Sequence, residues 1–486
     1  MHIELKRGSS QSLPQQICER LGQRISSGLL PRGARLPSVR ELALSLKVSQ
    51  VTVSKAYTEL EKKGSILCIQ GKGCFVTDTE EHEGAGEVGG WQGRYDDYLP
   101  RAQLWRNFNE SEADYSFHLA SLHRELLPLK SIGSTMAALV SEQPELMASY
   151  GNFQGDLELR EVMRRHLRKR GMTLVSSGLM ITSGSQQGID LVARTFVGPG
   201  DVVYLEDPSY TGAIDVFAGR GAEMIFVPMD REGMRVDILT SLCDERPPKL
   251  IYTNPTFQNP SGVTMSMRRR QQLLELARSY RCLIVEDDPF SDLYFRDPPP
   301  PSIKSMDTDG HVVYLKSFSK VLAPGCRIAC VAAEGDILSR LIAAKSASDL
   351  GSPLLTQRAV LPFIADSYER YAAGLRIGLR ERMESAGRLL RQHAPSGVRW
   401  TLPEGGLNVW LELPATLQID KLHTLAEQES ISFLPGDVCR AGDGSSSHIR
   451  LCYAQMDKAR MEQGLKLFLE LLSRYMASEL TDGKIQ

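Results

Sequence analysis

Twenty residues set the terms for this chain. From 78 to 97 the sequence holds seven Asp or Glu, five Gly and one Arg, with no apolar periodicity. Such a stretch cannot bury enough apolar area to offset the entropy of ordering it. It predicts a flexible acidic, Gly-rich linker running to about residue 114, and it obliges the two flanking segments to build separate cores. Residues 1–77 then form one domain and residues 115–475 another. The length, 486 residues, already exceeds what a single core supports.

Composition narrows the class. Hydrophobic residues at 42% and charged residues at 24% are ordinary globular values, which excludes wholesale disorder. No run approaches the ~18 apolar residues of a membrane span, and MHIELKRGSS carries no apolar signal core. Nine cysteines lie scattered without a C-x-x-C pair. That pattern predicts reduced thiols in a cytoplasm, with neither disulfides nor a metal site. Net charge is only -2, yet residues 1–76 hold 12 basic and 5 acidic residues and the remainder 45 and 54. A basic head on an acidic body points to nucleic acid as the head's partner.

The head reads as three helices and a hairpin. Leu13, Ile17, Leu21 and Ile25 recur at four-residue spacing, and Pro31, Gly33 and Pro37 then interrupt the helix. SVRELALSL resumes it, LKVSQ is a sharp corner, and Ser49 is placed to cap a helix whose apolar stripe is Val53, Ala56, Tyr57 and Leu60. Gly64 ends that helix, and SILCIQGKGCFVT makes two short strands around Gly71-Lys72-Gly73. This is a winged helix-turn-helix. Its second helix lies in the major groove, which directs Gln50, Val51, Thr52, Ser54 and Lys55 at double-stranded DNA. Arg40 and the wing-tip Lys72 suit backbone or groove contacts.

Beyond the linker, short apolar runs (LMITSG, DVVYLED, KLIYTNP, CLIVEDD, HVVYLKS, RIACVAA) alternate with helical stretches. That alternation predicts an α/β domain with a largely parallel sheet, a large lobe over about 155–355. From about 356 to 475, amphipathic helices and shorter strands predict a smaller α+β lobe, completed by the N-terminal segment. Three segments carry chemistry. In ITSGSQQG, the amides of Ser185 and Gln186 at a helix N-terminus form an anion cradle. In TNPTFQNPSG and CLIVEDDPF, Asn259 and Asp287 fall at or after strand ends, where ligands gather. Taken singly, an Asx-turn and a surface carboxylate explain them equally well. In VVYLKSFSKVLAPGCR, Lys320 stands near Ser317, Ser319 and Arg327. That setting favours a neutral amine for Schiff-base chemistry, and Ser319 and Arg327 complete a phosphate site.

The head, LPSVRELALSLKVSQVTVSKAYTELEKKGSI followed by GKGCFV, closely resembles the GntR-type winged helix. Resemblance implies that Arg40 meets DNA and that Thr52 lies near phosphate. The family usually carries arginine where this chain has Gln50 and Ser54; glutamine still offers bidentate pairing to adenine. The body, through SGSQQG, EDPSY, NPxxQNPSG and SFSKxxAPGxR, resembles the fold-type I pyridoxal-phosphate enzymes, among them the aminotransferases related to kynurenine aminotransferase. That implies pyridoxal 5'-phosphate held by Lys320 as an internal aldimine, with Asp287 on the ring nitrogen, Asn259 on the ring hydroxyl and Tyr210 on the ring face. Ser185, Gln186, Ser317, Ser319 and Arg327 would surround the phosphate, Tyr150 would reach it across a dimer interface, and Arg450 would hold a substrate carboxylate. The usual tyrosine near DDP is Phe290 here, with Ser291 and Tyr294 as its possible substitutes, which favours binding over turnover.

The two halves together resemble the MocR group of bacterial transcriptional regulators. The implied protein is a cytoplasmic, head-to-tail homodimer. It binds promoter DNA through the heads and senses pyridoxal phosphate, an amino compound, or both through the bodies. The alternative is an active aminotransferase carrying a DNA-binding appendage.

Overall fold

In the head, sequence periodicity becomes one small core. A computed structural model describes residues 5, 11–26, 30, 33–69, 73–77, 113–440 and 446–482. The chain divides into two units, Met1–Asp96 and Asp97–Gln486. Residues 78–112 of the linker predicted over 78–114, and the wing-tip Lys72, lie outside the described residues.

Helix α1 (Leu13–Ser26) buries Ile17, Leu21 and Ile25. Helix α2 (Val39–Leu46) starts with a capping box: Ser38 Oγ accepts from Glu41 N–H while the Glu41 carboxylate accepts from Ser38 N–H. Two orphan amides are thereby satisfied. Lys47, at φ 52°, turns the chain into α3 (Gln50–Lys62). There Ser49 Oγ accepts from Thr52 N–H at 3.1 Å. Val53, Ala56, Tyr57 and Leu60 all face the core, and the Tyr57 hydroxyl donates to Pro37 O at 2.7 Å. Gly64, at φ 71°, follows the end of α3. Strands β1 (Ile66–Ile69) and β2 (Gly73–Val76) pair antiparallel, with Ile66 opposite Val76 and Cys68 opposite Cys74.

One expectation is corrected here. Cys68 and Cys74 form a disulfide, whereas their spacing predicted free thiols. The hairpin register brings the two side chains face to face, a proximity that linear spacing does not reveal. Seven other cysteines are free.

The second unit opens with β3 (Tyr115–Ser116), α4 (Leu129–Glu142) and α5 (Leu157–Arg168). Next come β4 (Leu179–Ser183), α6 (Ser185–Phe196), β5 (Val202–Asp207), α7 (Thr211–Ala218), β6 (Glu223–Asp230), β7 (Gly233–Met234) and α8 (Val236–Glu245). They are followed by β8 (Leu250–Thr253), α9 (Met267–Tyr280), β9 (Leu283–Asp288), β10 (Val312–Ser317), β11 (Ile328–Ala332) and α10 (Gly335–Asp349). Strands β4 to β11 form one sheet of order β4-β11-β10-β9-β8-β5-β6-β7. Neighbours from β10 through β6 run parallel, while β11 opposes both β4 and β10, and β7 opposes β6. Helices cover both faces, so β8, β10 and β11 are buried along their whole length and read as mostly apolar runs, β10 ending in Lys316 and Ser317.

The reversal at β11 places residues 318–327 as a loop beyond the carboxyl end of β10. Ligands gather at such strand ends. Helices α11 (Leu354–Pro362) and α12 (Tyr368–His393) then lead to β12 (Arg399–Thr401), β13 (Asn408–Glu412), α13 (Ile419–Gln428), β14 (Ile431–Ser432), β15 (Leu434–Pro435), β16 (His448–Cys452) and α14 (Lys458–Asp482). An antiparallel sheet of order β12-β13-β16-β15 carries this smaller lobe, and β14 pairs with β3. No helix among the described residues is long and apolar enough to cross a membrane.

Candidate functional site

A cavity of about 360 Å³ lies where the carboxyl ends of the large sheet meet the smaller lobe. Its lining gathers Ser185, Gln186, Tyr210, Asn259, Asp287, Ser317, Ser319, Lys320, Arg327 and Arg450, residues scattered over 266 positions of sequence. Tyr150 is the exception. It stands 86% exposed, outside this cavity.

Each residue is held by its element. Alternation along β9 turns Asp287 to the opposite face from Glu286 and Asp288. The Tyr252 hydroxyl on β8 donates to Asp287 Oδ2 at 2.8 Å. Asp287 Oδ1 is buried with no hydrogen-bond partner. Burial raises the Asp287 pKa from 3.8 to about 7, against the stabilising Tyr252 hydroxyl. Asn254 locks the neighbouring loop: its Nδ2 donates to Asp287 O at 2.6 Å and its Oδ1 accepts from Asn259 N–H at 2.8 Å. Asn259 Oδ1 in turn accepts from Arg450 Nη1 at 2.8 Å, and Arg450 Nη2 donates to His118 O. The Arg450 Nε remains without a partner, so the guanidinium is anchored with donor capacity to spare.

Lys320 sits on the loop after β10. Burial first, then the positive charges of Arg450 and Arg327, bring its pKa down to about 8. About a tenth of this amine is therefore neutral at pH 7, far more than for an ordinary lysine. Beside it, α6 begins at Ser185 after Gly184, whose φ is 82°. A Cβ at Gly184 would collide with the Arg327 guanidinium; only glycine lets arginine close on the helix start. Arg327 Nη2 donates to Ser183 O at 3.2 Å. The Ser319 hydroxyl is buried and unpartnered. Free amides at the start of α6, one guanidinium and one spare hydroxyl make an anion-binding corner. The Gln186 side chain does not face that corner freely, because its Oε1 accepts from the Tyr210 hydroxyl at 3.0 Å and its Nε2 donates to Gly212 O at 2.9 Å.

Phe290 is buried and lines the cavity. Ser291 and Tyr294, the two residues considered as substitutes for the missing phenol, do not line it. Ser291 Oγ bonds Asp288 and accepts from Lys316 Nζ at 2.8 Å, while Tyr294 stacks beneath the Arg376 guanidinium at 4.4 Å. Sequence reading missed Tyr252 and Asn254. The amide of Asn254, closing the otherwise apolar run LIYTN, was the available signal for the one; Tyr252 reads there as a strand residue.

In the head, Arg40 is exposed on the first turn of α2, and Gln50, Ser54 and Lys55 are exposed on one side of α3. Gln50, Val51, Ser54 and Lys55 line a shallow groove on that side. The Thr52 hydroxyl is held at 2.8 Å by Ser49 Oγ.

Residues 13–76 match the bacterial regulatory proteins of the gntR family, and residues 125–468 match aminotransferase class I and II. The HTH-type transcriptional regulator YdfD of Bacillus subtilis, itself uncharacterized, is 31% identical over 93% of this chain and 94% of its own. Among solved structures, Pyrococcus horikoshii kynurenine aminotransferase, in complex with PMP, superposes with a TM-score of 0.74. It is 31% identical and covers 80% of this chain and 99% of its own. LysN, the alpha-aminoadipate aminotransferase of Thermus thermophilus complexed with N-(5'-phosphopyridoxyl)-L-leucine, gives 0.75, with the same identity and the same coverage. This chain belongs to the aminotransferase class I and II family, in the MocR group of HTH-type transcriptional regulators that join such a unit to a gntR-family head.

Proposed function

We propose that this regulator binds pyridoxal 5'-phosphate in the cavity around Lys320, and that the cofactor or its adduct with an amino compound controls the grip of the heads on promoter DNA. The carrying observation is the unpartnered, buried Asp287 Oδ1 facing the same cavity as a lysine whose pKa falls to about 8. The residues fit the group. Lys320 would hold its carbonyl carbon, Asp287 its ring nitrogen, Asn259 its ring hydroxyl and Tyr210 its ring face. Ser185, Gln186 (through its backbone amide), Ser317, Ser319 and Arg327 would hold its phosphate. When bound, the cofactor supplies a carbonyl for primary amines and a ring that accepts electrons.

The chain's own residues do the rest. Asp287 would keep a proton on the ring nitrogen through Oδ1, while Tyr252 fixes its other oxygen. Arg450, anchored by Asn259 and the His118 carbonyl, offers its remaining donors to a carboxylate. Phe290 excludes water but supplies no hydroxyl. That difference favours sensing over sustained turnover, and the alternative, an aminotransferase with a DNA-binding appendage, draws its support from the retained Lys320, Asp287 and Arg450. Regulation further requires that ligand favour one conformation over another. The functional unit in this reading is a cytoplasmic homodimer, head to tail, in which the exposed Tyr150 would reach the partner's cofactor phosphate.

The test is the visible spectrum before and after borohydride, with peptide mapping, in the wild type and in Lys320→Ala. The expected result is a yellow wild type, bleached by borohydride, with a pyridoxyl group on Lys320. The variant should be colourless, with promoter binding that no longer responds to amino compounds. A wild type that stays colourless with added cofactor refutes cofactor binding, and an undiminished ligand response in Lys320→Ala refutes sensing.

A further inference from the structure

The wing of the head holds a chemistry that neither cofactor binding nor groove recognition uses. Cys68 and Cys74 face each other across the hairpin and are joined as a disulfide. Both are half-buried at the rim of the head's core, so small oxidants and dithiols reach them. Of the seven free cysteines, six are buried. In a compartment poised by a thiol buffer, an accessible pair of this kind cycles between thiols and disulfide.

Position gives the pair its leverage. The Cys68 N–H donates to Glu61 Oε1 at 2.8 Å, on the last turns of α3. The Cys74 carbonyl accepts from Leu36 N–H at 2.8 Å, on the segment that leads into α2. Val76 extends that second tie: its carbonyl accepts from Gly33 N–H at 3.0 Å and its N–H donates to Ala34 O at 3.1 Å. Strand β1 therefore braces α3, and β2 braces the entry to α2. A covalent link between the two strands joins both braces. The cysteines are only six positions apart, so the cross-link constrains the unfolded chain little. Its effect is local to the hairpin.

We propose that Cys68 and Cys74 form a reversible thiol–disulfide modification site that sets the DNA affinity of the head. Hydrogen peroxide is the oxidant. One thiolate attacks a peroxide oxygen, the O–O bond breaks, a sulfenic acid forms, and the departing hydroxide takes a proton from solvent to become water. The second thiol attacks that sulfur, the S–O bond breaks, and a second water leaves. The two sulfurs lose two electrons in all, and hydrogen peroxide is reduced to two waters. A dithiol reverses the bond by exchange. The oxidised head meets DNA with its wing already fixed against α2 and α3. The reduced head keeps those hydrogen bonds but loses the covalent link between the strands, so its wing fluctuates more and docking must restrict it, which weakens binding.

The experiment uses the full-length protein and a fluorescein-labelled duplex selected from a random pool by the reduced protein. Affinity is measured by anisotropy after dithiothreitol and after one equivalent of hydrogen peroxide, with alkylation and mass spectrometry locating the disulfide. Peroxide should link Cys68 to Cys74 and tighten binding about fivefold, and dithiothreitol should reverse both. The double variant Cys68→Ser/Cys74→Ser should bind like the reduced wild type under either condition. Failure of these two thiols to pair, equal affinity of the two redox forms, weaker binding on oxidation, or a redox response surviving in the double variant each overturns the proposal.

Discussion

Asp287 shows how one residue carries the logic of the body. Its Oδ2 is fixed by Tyr252 and its Oδ1 is unpartnered, so the folded cofactor-free protein holds a carboxylate where water cannot solvate it. The pKa rises from 3.8 to about 7. Between those values the folded state binds a proton that the unfolded chain has released, so this group's contribution is fully present below pH 4 and is lost as pH rises through 7. Asp287→Asn removes that loss. Thermal melts of the cofactor-free variant from pH 5 to 8 should show it gaining on the wild type by roughly 1–3 kcal/mol up to pH 7, then running parallel. Identical slopes would show that Asp287 is not held in this environment. Lys320, Asp287, Asn259 and Arg327 were legible because each sits in a short run of unusual polar residues after an apolar strand. Tyr252 was not. Inside LIYTN it reads as one more strand residue, and only the neighbouring strand reveals its partner.

At the scale of elements, periodicity and capping carried most of the information. The stripe Val53, Ala56, Tyr57, Leu60 and the cap Ser49 specify α3 without reference to anything distant. Ser49→Ala leaves the amides of the first turn unsatisfied and should lower the stability of the head by about 1 kcal/mol. It also frees the Thr52 hydroxyl, now held at 2.8 Å. Chemical denaturation of the full chain, followed by the head's own transition, measures this; an unshifted midpoint would show that the cap contributes nothing. The hairpin was equally visible, but its disulfide was not, because pairing depends on register between strands. The same holds for β11. Its residues, IACVA, read as another buried strand, yet its antiparallel insertion between β4 and β10 is settled by how the loop bearing Lys320 returns across the sheet.

For the whole molecule, the separation into a basic head and an acidic body follows from composition, and the chain divides into two units accordingly. Tyr150 belongs to this scale. Standing 86% exposed, it contributes little to the fold of its own chain, so Tyr150→Phe should leave thermal stability within about 0.5 kcal/mol of the wild type. If it meets the partner's cofactor phosphate, the variant should lose pyridoxal phosphate on dialysis about tenfold faster. Unchanged retention would remove Tyr150 from the site. The sequence alone determined the local elements, the class of each unit and most of the cavity's polar residues. These depend on interactions within a few residues, on apolar period, or on short motifs. Tertiary structure decided which oxygen of Asp287 is free, that Gln186 is taken up by Tyr210, that Ser291 and Tyr294 turn away from Lys320, and that Cys68 meets Cys74. Each of these is a contact between residues on different strands or loops, and the order and direction of strands, not spacing along the chain, sets which side chains meet.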